Sequence, residues 1–184
     1  MDHVISGVAK FQKEVYPNKK ATFQKLATGQ NPEVLFITCS DSRIDPNLVT
    51  QTDPGELFIC RNAGNIVPPH SNQTGGMTAS IEFAVAALGV SHIVICGHTD
   101  CGAMKGAINP EGLSALPHVK EWLGHCRVAT EVVKERCGHS DLSIDDLEAV
   151  TKENVVQQIQ HLRTHPAVAA KIATGQVKLH GWVY

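Results

Sequence analysis

The sequence holds no apolar run long enough to cross a bilayer, which argues against a membrane-spanning helix. It also lacks an excess of charge. Sixteen Lys and Arg against 18 Asp and Glu leave a formal net charge of -2, so neither nucleic acid nor an anionic membrane is the expected partner. The opening Met1-Asp-His-Val lacks the basic start and apolar stretch of a signal peptide. There is no internal repeat and no low-complexity tract. No C-x-x-C pair gives the close spacing of a closed structural zinc site. No G-x-G-x-x-G follows a strand-like run, which removes the dinucleotide fingerprint. Six cysteines at irregular spacing, with no export signal, read as reduced thiols in a cytoplasmic setting.

What is present suits one domain, 1–184, with a sizeable core. Val4, Val8, Phe11 and Val15 follow helical spacing up to Pro17, and residues 21–27 form a second short helix before Gly29. Together they make an N-terminal helical arm of about 1–30, which packs either on another subunit or on its own sheet. Strands are expected at 34–38, 57–60, 93–96 and 177–183. Asp45-Pro46 and Asp53-Pro54-Gly55 read as turns, and 102–112 as a glycine-punctuated loop. Helices are expected from Gly76 to about Leu88, from 118 to about 137, from a Ser143/Asp146 capping pair to His165, and over 167–173. Strands alternating with helices predict an α/β fold: a central, largely parallel sheet flanked by helices.

The chemistry concentrates at two strand ends. Val34-Leu-Phe-Ile-Thr-Cys39 runs into Ser-Asp41-Ser-Arg43, and Ile93-Val-Ile-Cys-Gly runs into His98-Thr-Asp-Cys101-Gly102. Ligands of open parallel sheets bind beyond the carboxyl ends of strands. Cys39, His98 and Cys101 therefore make a candidate Cys₂His set, one of those used for catalytic zinc with a fourth position left open. A lone buried cysteine is more often a small hydrophobe, and H-x-x-C alone is a weak signal. The two segments together favour metal. Other motifs fail on spacing. Cys39 and Arg43 enclose too few residues for a phosphate-cradling cysteine loop, and Lys105 does not directly follow Gly102 as a phosphate loop requires. A Cys39–His98 nucleophilic pair stays open, but it leaves Cys101 and Asp41 unexplained.

These residues resemble the β-class carbonic anhydrases, most of all bacterial and cyanobacterial ones. The likeness rests on Cys39-Ser-Asp-Ser-Arg43 and His98-Thr-Asp-Cys101-Gly102. It extends to Pro54-Gly-Glu-Leu-Phe58, Arg61-Asn-Ala-Gly-Asn65 and His180-Gly-Trp-Val-Tyr184. The resemblance implies Zn2+ on Cys39, His98 and Cys101, and reversible hydration of carbon dioxide to bicarbonate through zinc-bound hydroxide. It implies a homodimer or higher homo-oligomer with shared active sites, the arm packing on a partner subunit. Asp41 then accepts a hydrogen bond from the hydroxide, and Arg43 holds Asp41. Release by Arg43 would let Asp41 become a fourth ligand in a closed state. Gln30, from a neighbouring subunit, and the Gly102 amide become donors to substrate. Phe58, Ala63 and Phe83 line an apolar pocket for carbon dioxide. Arg61 and Tyr184 match part of an inhibitory bicarbonate site whose tryptophan is Phe36 here. His70 and His92 are shuttle candidates by residue type alone. Relatives run on past the last strand into an extension absent from this sequence. Two thiolate ligands cancel the metal's charge, so activity is expected to rise towards alkaline pH. A carbonyl sulfide or carbon disulfide hydrolase on the same frame, a non-catalytic zinc module, and a carboxysomal location are the alternatives.

Overall fold

The structure, a computed structural model, describes residues 1–184 and divides into two units, 1–31 and 32–184. The first unit is helical. Helix α1 (Asp2–Lys10) passes into a π turn at Phe11–Val15 and a 3₁₀ turn at Pro17–Lys19, then α2 (Lys20–Leu26). Phe11, Tyr16 and Phe23 pack their rings together at centroid separations of 5.6–6.4 Å. Val4, Ile5 and Val8 remain exposed along α1.

The second unit is built on a four-stranded, all-parallel sheet. Its strands are β1 (Val34–Cys39), β2 (Leu57–Asn62), β3 (His92–Gly97) and β4 (Lys178–Val183), in the order β2-β1-β3-β4. The central strands are apolar on both faces, as strands covered on both sides must be. Leu35, Ile37, Ile93 and Ile95 fill one core, while Phe36, Val94 and Cys96 form a smaller cluster with Ile44. Each fully buried side chain of this size contributes about 1.5–3 kcal/mol. After β2 the chain crosses to the other side of β1 to make β3, so the switch point lies between β1 and β3. Their carboxyl ends, Cys39 and Gly97, are neighbours there.

Helices α3 (Pro46–Thr50), α4 (Gly76–Glu82), α5 (Gly102–Ile108), α6 (Pro117–Leu123), α7 (Arg127–Cys137), α8 (Leu147–Thr164) and α9 (Pro166–Ala173) complete the unit. Helix α8 lies close to the sheet because β4 carries Gly181. A Cβ there would come within 2.8 Å of Val155 Cγ1.

Several elements differ from expectation, each for a local reason. Asp45-Pro46 starts α3 instead of a turn: Asp45 Oδ1 accepts from the Leu48 amide at 3.0 Å, with Pro46 in the first turn. The expected loop after Cys101 is helix α5, and Gly106 is kept small by Leu123, 3.0 Å from where its Cβ would sit. The long helix expected at 118–137 is broken by a 3₁₀ turn at Gly124–Cys126. Strand β2 runs on through Arg61 and Asn62, paired with Thr38 and Cys39. The Ser143/Asp146 capping box forms as expected.

Candidate metal centre

Cys39 is the last residue of β1, and His98 directly follows β3. The turn from His98 to Cys101 depends on Asp100, whose φ of 54° lies in the left-handed region that Asp tolerates. The end of β4 braces that turn: the Thr99 amide donates to Tyr184 O at 2.7 Å, and the Tyr184 amide to Gly97 O at 3.0 Å. Cys39, His98 and Cys101 are all buried, and one ligand atom from each lies within 4.8 Å of the others. Their sulfurs are 3.9 Å apart. The ligand atoms of a tetrahedral zinc site, each about 2.0–2.3 Å from the ion, have comparable mutual spacing.

His98 supplies the fit test for such an ion. Its Nδ1 is 2.9 Å from Thr99 O, so that nitrogen carries the proton and Nε2 presents a lone pair. Nε2 is fully buried and has no hydrogen-bond partner, one of only two such side-chain atoms. A buried acceptor left unpaired costs about 1–3 kcal/mol, and a cation between it and the two sulfurs removes that cost. The thiols point the same way. Cys101 hydrogen-bonds to Cys39, which pulls the Cys39 thiol below its ordinary range and pushes Cys101 above it. Both sulfurs would bind a dication as thiolates, so an ion held between them would displace their protons. The Gly64 amide also points at Cys39 Sγ, at 3.4 Å. Cys96 and Cys126, by contrast, are pushed up to about 11 and about 12 by burial and behave as neutral hydrophobes.

Beside the cluster stands Asp41, its Oδ2 3.8 Å from His98 Nε2. Arg43 grips it in a fork: Nε donates to Oδ1 at 2.9 Å and Nη2 to Oδ2 at 2.7 Å, with the Arg43 amide also on Oδ1. These contacts hold the Asp41 carboxyl far below the usual carboxylate range. Asp100, which the motif reading passed over, anchors the guanidinium from its other side, with Nη1 on Oδ2 at 3.0 Å, and pairs in turn with Lys105. Its position inside His98-Thr-Asp-Cys101 was the available signal.

The remaining expected residues fall into two groups. Gly102 opens α5, where its amide has no acceptor within the helix. Ala63 precedes Gly64, and its carbonyl accepts from Trp122 Nε1 at 2.9 Å. These two flank the cluster. Phe58 and Phe83 do not reach it within one chain. They pack on each other at 6.1 Å. Phe58 pairs with Leu35, four residues before Cys39 and about 13 Å away along the strand. Phe83 is 48 % exposed. Gln30 belongs to the first unit and is exposed.

Arg61 donates to the carbonyls of Cys39, Asp41 and Ile44, so it pins the loop that carries Asp41. Phe36 is buried against Trp182. His92 begins β3, at the opposite end from the cluster, with Nδ1 2.9 Å from His180 Nε2. It is therefore no proton relay for its own chain. His161 and His165 sit in H-x-x-x-H spacing, but their rings bond to the carbonyls of Val67 and Pro68 and clamp that loop instead of holding an ion.

Known proteins share this fold. The family model described as "Carbonic anhydrase" matches residues 34–184. A carbonic anhydrase of Pseudomonas aeruginosa is 48% identical over 184 residues, all of this chain and 83% of that protein. The solved β-carbonic anhydrase CcaA superposes with a TM-score of 0.95 at 41% identity, covering 100% of this chain and 89% of that one. A tetrameric β-carbonic anhydrase of the ascomycete Sordaria macrospora gives a TM-score of 0.84 at 31% identity, covering 100% and 90%. Matched along its sheet unit by the family model and along its whole length by these relatives, the chain belongs to the β-class carbonic anhydrase family.

Proposed function

We propose that this chain catalyses the reversible hydration of carbon dioxide to bicarbonate and a proton, with zinc held by Cys39, His98 and Cys101. One observation carries the reading. Two sulfurs and a buried, unpartnered imidazole nitrogen converge at the switch point of the sheet, beside a carboxylate fixed by a forked arginine. Bound there, zinc would supply Lewis-acid activation of water near neutral pH.

The protein's own part is orientation and exclusion of water. Asp41 stays ionised, so it can only accept a hydrogen bond, and it fixes the direction of a donor next to the ligand cluster. Arg43, Asp100 and Lys105 hold Asp41 as a chain of charge-assisted contacts. The Gly102 amide and Gln30 are proposed donors to a substrate oxygen. The apolar wall of Phe58, Ala63 and Phe83 suits a nonpolar gas. Because Phe58 and Phe83 lie away from the ligand cluster of their own chain, we assign them, with Gln30 and the exposed arm, to a site shared between subunits of a homo-oligomer. The closed state, with Asp41 as fourth ligand, requires surrender of the Arg43 fork. Arg61 is committed to backbone carbonyls and position 36 has no indole donor, which speaks against an inhibitory bicarbonate site. No helix is long and apolar enough to cross a membrane. We place the reaction in the cytoplasm, where ligand thiols stay reduced. Neither the geometry nor these relatives favour the carbonyl sulfide or the non-catalytic reading.

The test is stopped-flow carbon dioxide hydration with zinc analysis, on wild type and Asp41→Ala. The wild type is expected to turn over. Asp41→Ala is expected to keep its zinc and lose about a hundredfold or more in rate. An inactive, zinc-loaded wild type, or a variant as fast as the parent, overturns the assignment.

A further inference from the structure

Far along the chain from Cys39, a second group of ligand-type side chains meets at the junction of α7 and α8. We propose that Cys137, His139 and Asp146 form a second divalent-metal site, of the zinc and cobalt class, that clamps the end of α7 to the start of α8. One ligand atom from each lies within 4.8 Å of the others.

The local fold explains why they meet. Cys137 ends α7, and Gly138, at φ +69°, reverses the chain in the left-handed region. The His139 amide then bonds back to Lys134 O at 3.1 Å, which brings His139 over the last turn of the helix. Asp146 comes from the other side. It is 6% exposed and is fixed without any ion: its Oδ2 accepts from the Ser143 amide at 2.8 Å and from Ser143 Oγ at 3.2 Å. Its other oxygen, Oδ1, lies 3.2 Å from His139 Nδ1. A carboxylate whose rotamer is set by a helix cap is a preorganised ligand.

The surrounding charges permit a dication. The flanking cations are paired: Arg136 with Glu153, Lys152 with Glu148 and Lys134 with Glu131. The carboxyl end of α7 adds the negative end of its dipole. Thiolate, imidazole and carboxylate together select borderline-soft ions over magnesium or calcium. Cys137 and His139 are exposed, so the fourth position belongs to water. A plain His139–Asp146 ion pair would explain those two side chains but gives Cys137 no part, and Cys137 is what the test removes.

The reduced, full-length enzyme, its first site loaded, is dialysed against buffered zinc, and zinc per chain is counted. The wild type is expected to hold one ion more than Cys137→Ser or His139→Ala. In parallel, cobalt(II) is expected to give a stronger thiolate charge-transfer band in the wild type than in Cys137→Ser. Added zinc should raise Tm by about 5–10 °C at a hundredfold excess over Kd in the wild type alone. Equal zinc counts in wild type and Cys137→Ser, or an extra ion that survives His139→Ala, overturn the proposal. Both variants leave Cys39, His98 and Cys101 intact, so the difference between proteins reads this site whatever the first one holds.

Discussion

Gly64 offers a sharp test of how the backbone builds the Cys39 site. It sits at φ +84°, and a Cβ there would lie 3.0 Å from Met104 Cε and 3.1 Å from Ala103 Cβ. Gly64→Ala therefore meets two costs. Left-handed backbone costs an L-residue about 1–2 kcal/mol, and overpacking adds about 1–3 kcal/mol. Gly89 is the control: its φ is +70°, but nothing lies within 4 Å of its Cβ position, so Gly89→Ala carries only the first cost. The difference, roughly 1–3 kcal/mol, corresponds to a Tm lower by roughly 2–12 °C for a chain of this length. Thermal melts of both variants at equal protein concentration give the comparison. A second readout ties the cost to the site. Because the Gly64 amide donates to Cys39 Sγ, Gly64→Ala is expected to lose zinc to a chelator faster than wild type, and Gly89→Ala is not. Equal melting temperatures, or equal zinc loss in the two variants, would refute the reasoning.

Arg43→Met removes the fork on Asp41 and one contact of Asp100, and it should lower turnover while zinc stays bound. It should also soften the acid limb of stability. Asp41 and Asp100 both have depressed carboxyls, held down first by Arg43 and by Lys105 respectively. Their contribution is present above about pH 3.9 and is lost as pH falls through the lower folded value. A wild-type and variant urea midpoint that fall in parallel below pH 4 would contradict this. Burial depresses His161 and His165 in the same sense. The stability they confer is present above about pH 6.5 and is lost as pH falls through their folded values. The urea midpoint should therefore drop from pH 7 towards pH 5, and less steeply in His161→Gln. An unchanged slope would remove His161 from the account.

The parallel sheet and the Cys39–His98–Cys101 cluster were legible in the sequence because both depend on short-range patterns. Continuous apolar runs mark doubly covered strands, and the ligand residues directly follow two of them. The β1–β3 adjacency that joins them is a topological consequence, not a local one, yet the strand ends already pointed to a common crevice. What escaped was local chemistry with two meanings. Asp45-Pro46 serves a turn or a helix start equally, and only the Leu48 amide on Asp45 decides between them. Glycines at 102 and 106 read as loop but both lie in α5, where Gly106 alone serves close packing, against Leu123 and Leu113. The contacts of Asp100 and Arg61 depend on where the 39–44 loop lies in space, so a place in a motif marked these residues without showing what they hold. Phe58 and Phe83 show the opposite limit: the pattern that suggested them carries no distance to the ligand cluster, and within the chain their rings pack on each other.

X-ray absorption at the zinc edge, on reduced Cys137→Ser protein so that only the Cys39 cluster contributes, tests the central claim most directly. The account predicts one zinc per chain with two sulfurs at about 2.3 Å and one imidazole nitrogen at about 2.0–2.1 Å. Metal-free protein, or a shell of nitrogen and oxygen without sulfur, would contradict it.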